Sequence, residues 1–159
     1  MIIDKEKFQK IHDKALEEYR AIGKVYCPYL KDFVFFNAKG FEHLKFKERN
    51  KARSEKDQYI RLKLITLAPK VLSQTHTLQE YFETQHFEEV RANARREKKL
   101  KQVTYYGVIA IVNSARIKVI VKQVENEQRY FLSIVPFWKI EQKNSGNKKI
   151  LHAGNLEID

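Results

Sequence analysis

Two stretches of this 159-residue chain concentrate side chains able to move protons or hold phosphate. The first, "HLKFKERNKAR" at 43–53, sets the imidazole of His43 among cations that include Lys45 and Arg53, and Arg61 and Lys63 follow it. The second, "RIKVIVKQVENEQRYFLSIVPFWK" at 116–139, interleaves apolar residues with Arg116, Lys118 and Lys122 and carries the hydroxyl of Ser133. Metal-free RNA cleavage asks for little more than this. A base takes the 2′-hydroxyl proton, an acid protonates the leaving 5′-oxygen, and fixed cations stabilise the charge that builds on the phosphate oxygens. An imidazole serves either proton step near neutral pH, guanidinium and ammonium groups clamp the phosphate, and hydroxyls orient it. The plain alternative for the basic row of the hairpin is a solvated face. The sharper one is a phosphate-binding floor.

Composition narrows the classes. Formal charge is +11 and the pI about 9.6, a balance that favours polyanions: nucleic acid, an anionic membrane surface or an acidic protein. No apolar run approaches the ~20 residues of a spanning helix, and "MIIDKEKFQK" lacks the pattern of a secretory signal, so a cytoplasmic protein is expected. Cys27 is the single cysteine, which excludes an internal disulfide or thiolate metal cluster. The motifs HExxH, GxxxxGK, GxGxxG and CxxC are absent, and the five histidines are scattered; neither metal nor cofactor is expected. A further basic run, "RANARREKKLK" at 91–101, reads as a solvated helix face, with contact to a nucleic-acid backbone as its alternative.

These groups need a scaffold to bring them together. Phe8, Ile11, Ala15 and Tyr19 recur at helical spacing between Asp4 and Gly23, and "KVYCPYL" and "KDFVFFN" read as extended, the first demoted by Pro28 to an edge strand or loop. "NAKGFEHLKF" reads as a turn entering a short helix, and Ser54 opens another helix that Pro69 ends or kinks. From Thr77 to Leu100 the charged pattern predicts helix with a break near Gln85; strands follow from Val103 to Pro136.

Strand register is set by segregating apolar residues onto one face. A two-residue loop at Asn126–Glu127 pairs Ile120 with Ser133 and Lys122 with Phe131. A three-residue loop at Asn113–Ala115 pairs Ala110 with Lys118 and keeps Ile109 and Ile111 away from the lysines. Tyr106, Lys118, Lys122, Phe131 and Ser133 then share a face, where Tyr106, Phe131 and Trp138 have rings to stack on bases. The expected fold is α+β: N-terminal helices packed on a small C-terminal antiparallel sheet. One domain spans 1–159, with a helical half at about 1–101, a meander at about 103–136 and a polar tail at 140–159.

"GFEHLKFK…R…DQYIRLKLITLAPKVL" followed by "YYGVIAIV…RIKVIVKQV…RYFLSIVPFWK" resembles the phage-associated branch of the Barnase/EndoU/colicin/RelE-like nuclease superfamily, over residues from about 33 to 139. The resemblance implies helices on a small antiparallel sheet and a metal-independent endoribonuclease leaving a 2′,3′-cyclic phosphate, in the setting of a phage or mobile-element toxin or effector. It carries the histidine of "GFEHL" onto His43, the helix arginine onto Arg61, the basic strand position onto Lys118 and the last-strand hydroxyl onto Ser133. Those four are the expected catalytic residues; Lys45, Arg53, Tyr106, Lys122 and Phe131 are the expected substrate contacts. RNA, tRNA among the candidates, is the expected partner, with an acidic antitoxin or immunity protein as a second. The alternatives are an inactive nucleic-acid-binding module and a basic interaction protein.

Overall fold

The computed structural model describes residues 4–48, 51–92, 95–136 and 157. Helix α1 (Lys5–Ile22) starts where the Asp4 carboxylate accepts from the Glu6 amide, and stops at Gly23 with φ 68°. Strands β1 (Lys24–Cys27) and β2 (Asp32–Phe35) form a hairpin. Helix α2 (Ala38–Lys45) is capped by Asn37, and a small ladder, β3 (Phe46–Glu48) and β4 (Lys51–Ala52), leads to α3 (Glu55–Leu64), capped by Ser54. A 3-10 turn (Ile65–Leu67) joins α3 to α4 (Ala68–Ser73), with Pro69 in the first turn where its missing N–H costs nothing. Strands β5 (Glu80–Ala92), β6 (Arg95–Val112), β7 (Ala115–Val124) and β8 (Tyr130–Pro136) follow. Among the described residues no helix is long and apolar enough to cross a membrane.

The fold is α+β, but its sheet is neither small nor confined to the C-terminal third. Among the described residues six strands run in the order β1-β2-β8-β7-β6-β5. The N-terminal hairpin joins through a single parallel pairing, Phe35 with Tyr130. Beyond that point α2 and α3 pack against β8. Gly40 allows the approach: a Cβ there would lie 2.0 Å from the Phe131 carbonyl oxygen and 2.6 Å from the Tyr19 hydroxyl.

The expected helix over 77–100 is instead β5 and the first part of β6, so the helical half ends near Ser73. Tyr81, Phe82, Thr84, Phe87 and Val90 favour extended backbone. Charges taken for a helix surface pair across the ladder, Glu88 opposite Lys99 and Glu89 opposite Lys98.

Register also departs from expectation. The β6–β7 turn has two residues, Asn113 (φ 50°) and Ser114 (φ 66°), so Val112 pairs with Ala115 and Ile109, not Ala110, with Lys118. A tight turn with both central residues left-handed matches the twist of its strands. Ile120 does pair with Ser133, but the register shifts at the next step, Leu132 is passed over, and Val121 pairs with Phe131. The β7–β8 connection runs from Val124 to Tyr130, longer than two residues. Tyr106 and Phe131 therefore lie on the side opposite Lys118 and Lys122.

Apolar residues fill both sides of the sheet. Val108, Val119, Val121, Phe131 and Ile134 pack with Ala15, Tyr19, Phe41, Leu44, Leu62, Ile65 and Leu72 of the helices. Val103, Tyr105, Ile120, Val124, Tyr130 and Leu132 form a second cluster, with Phe35 against it.

Candidate functional site

Four of the expected residues are linked in a row running from α2 through α3 to β8. Arg53 Nε donates to the His43 carbonyl (2.9 Å) and its Nη2 lies 3.0 Å from His43 Nε2. Its Nη1 reaches Asp57 Oδ2 at 3.5 Å, and Asp57 Oδ1 accepts from Arg61 Nε at 2.8 Å. Arg61 Nη1 donates to Ser133 Oγ at 2.5 Å. Local structure explains the row. Residues 53, 57 and 61 fall at successive i, i+4 positions on or next to α3, and α3 packs on β8 where Ser133 sits.

Most of this row is interior, with His43 and Asp57 half-buried at its edge. Arg53 is 3% exposed, Arg61 6% and Ser133 0%. The carboxylate of Asp57 occupies the place between two guanidinium groups that a bound phosphate would need. A guanidinium only donates, so the contact with Arg53 makes His43 Nε2 the acceptor and puts the neutral ring's proton on Nδ1. Burial, then the charges of Arg53, Arg61 and Lys122, push the His43 imidazolium down to about 3. Near neutral pH that ring has no proton to deliver as an acid, and its basic nitrogen is engaged.

The remaining expected residues lie elsewhere. Lys118 is 2% exposed and its Nζ lies 3.4 Å from Glu80 Oε2, an ion pair closed off from solvent. Glu80 pairs with Gly107 on β6, the strand between it and β7. Lys122 Nζ is 3.5 Å from Glu88 and 5.7 Å from the Tyr105 ring centroid. Lys45 pairs with Glu42 at 3.1 Å and faces a cleft between α1 and α2. Tyr106 meets Tyr81 edge-on and sits under the Arg129 guanidinium. Phe131, expected to stack on bases, is 0% exposed and stacks on Phe36 at 4.9 Å inside the core; the bulge in β8 turned it inward. Trp138 lies outside the described residues, as does the tail 140–159 apart from Glu157.

The sequence reading missed Asp57 as a partner and Glu80 altogether. The first had a signal, a carboxylate spaced by four from arginines on both sides. The second is 38 residues from Lys118 and meets it only through sheet register.

Exposed cations are found on β6 where it pairs with β5. Strand β7 ends at Val124, opposite Val103, so the ladder from His86–Lys101 to Ala92–Arg95 continues without it as a two-stranded ribbon, about 23 Å along its path at ~3.3 Å per residue, which curls back far enough for Glu88 to reach Lys122. Residues 86–101 hold six cations and three carboxylates. Arg95, Arg96, Lys98 and Lys99 are exposed, and alternation sends Arg95 and Lys99 to one face, Arg96 and Lys98 to the other. Arg96 is 3.9 Å from Glu89, an exposed pair that holds its charge weakly.

No protein-family model, no curated protein and no solved structure matches the chain.

Proposed function

We propose that the chain is a nucleic-acid-binding module that grips phosphates with the β5–β6 ribbon. The observation that carries this reading is the ribbon, a two-stranded ladder with exposed cations on both faces, in a protein of formal charge +11. A two-stranded β-ribbon has the width a B-DNA major groove admits, and cations on either face suit phosphate rows on either side. Such binding releases counterions, so log affinity falls linearly with log salt, with a slope near 0.9 per phosphate neutralised on duplex DNA. Replacing Arg95, Arg96, Lys98 and Lys99 together by Ala should weaken binding to RNA and DNA at least tenfold near 0.1 M salt, and flatten that slope by up to about 3.6 on duplex DNA. Thermal stability should hardly change, because the four side chains are exposed. Fluorescence anisotropy across a salt series measures both effects. Wild-type affinity in the variant, or a flat salt dependence in the parent, would sink the reading.

Metal-independent RNA cleavage is the second reading, favoured by one observation: the fold connects His43, Arg53, Arg61 and Ser133, separated by up to 90 positions, in one row. In this reading the row opens to admit a phosphodiester in place of the Asp57 carboxylate.

A further inference from the structure

At the sheet edge opposite the ribbon, the outward face of the β1–β2 hairpin carries Lys24 and Tyr26 from one strand, Phe33 and Phe35 from the other. Tyr26 is 48% exposed and Phe33 40%. Their rings meet edge-on with centroids 5.6 Å apart, and Lys24 Nζ lies 4.5 Å from the Phe33 centroid and 5.9 Å from that of Phe35. The hairpin's one carboxylate, Asp32, pairs with Cys27 in register on the inward side, and Arg129 neutralises it at 3.0 Å. The outward face is thus aromatic and cationic, with no carboxylate from either strand.

Large rings held outward on rigid strands, next to an ammonium group, are poorly explained by folding. Exposed rings add little to the core. Aromatic faces on a sheet are the means by which proteins hold unstacked bases. We infer that Tyr26 and Phe33 form a stacking platform for unpaired bases, with Lys24 contacting the adjoining phosphate, so that the nucleic acid preferred at this edge is single-stranded. A base stacking on Phe33 displaces the Lys24 ammonium from the ring face toward the backbone. In a duplex the base faces are covered by their neighbours, so this edge offers it nothing beyond charge.

The inference rests on the nucleic-acid reading above, and the two are separable because platform and ribbon occupy opposite edges. The probes are a fluorescein-labelled 12-nucleotide unstructured RNA and a 12-base-pair RNA duplex, titrated at fixed salt with the full chain. Tyr26→Ala/Phe33→Ala should lose about tenfold or more in affinity for the single strand, with duplex affinity and salt slope as in the parent. Phe33→Trp, which keeps a stacking surface, should retain single-strand binding. The ribbon variant should weaken on both probes. Unchanged single-strand affinity in the aromatic double variant, while the ribbon variant still weakens, would overturn the platform and leave the ribbon standing. Equal losses on single strand and duplex would also overturn it, since they signal a general effect. A parent chain that binds neither probe would overturn both readings. Melting temperatures within a few degrees of the parent certify that the variants are folded.

Discussion

Arg53 shows what a buried charge demands. Its three guanidinium nitrogens reach the His43 carbonyl, the His43 ring and the Asp57 carboxylate, and removing any one acceptor would leave part of a charge desolvated. His43 answers by staying neutral. Its folded value of about 3 lies below the 6.5 of an ordinary histidine, so between those limits the unfolded chain takes the proton and the folded chain does not. The stability that neutral His43 supports is complete above about pH 6.5 and drains away as pH falls toward 3, with a slope of up to about 1.4 kcal/mol per pH unit. His43→Gln offers Arg53 an amide oxygen without the titration. Urea midpoints measured from about pH 7 to 4 should fall less steeply in the variant than in the parent, other titrating groups cancelling in the difference. Parallel curves would mean that His43 is not held neutral. The arginines, the imidazole and their neighbourhood were legible in the sequence. What was not legible is that Asp57 closes the row, because a residue spaced for a helix cap and a residue spaced for an ion pair look the same.

At the scale of elements, the β6–β7 turn is where sequence and fold disagree most usefully. Keeping Ile109 and Ile111 away from the lysines argued for three residues in the loop. The structure accepts two because neither half of that argument holds: Ile111 is left 69% exposed, and Lys118 is neutralised by Glu80. Ser114 then sits at φ 66°, a region that costs a non-glycine residue about 1 kcal/mol or more. Ser114→Gly should therefore stabilise the protein by up to about 1 kcal/mol, the glycine entropy cost offsetting part of the relief, and raise Tm by about 2–4 °C. A lowered Tm would count against the two-residue turn, and with it the register that places Lys118 beside Glu80. Helices α1, α2 and α3 were readable from caps and spacing. The ribbon was not, since its charge pairs meet across a ladder and single-sequence periodicity sees only neighbours along the chain.

For the whole molecule the decisive feature is a separation. Exposed cations line the β5–β6 ribbon, while the groups expected to do acid–base chemistry are engaged with one another, most of them buried. General base catalysis needs the acceptor within about 3 Å of the proton it removes, and His43 Nε2 is already bonded to Arg53. Of the other described imidazoles, His12 lies against Phe41 and Asp13, His86 is bonded to Glu157, and His76 is exposed on the loop before β5. A protein built this way should bind RNA and return it whole. Incubated with total RNA and with tRNA in EDTA, the parent chain and His43→Ala should both leave the RNA intact by gel, with no 2′,3′-cyclic phosphate ends, under conditions where anisotropy shows the parent bound. The contrary result is equally specific. Cyclic phosphate ends formed by the parent and not by a folded His43→Ala protein would mean that the row opens around a phosphodiester, and binding without cleavage would no longer describe the molecule.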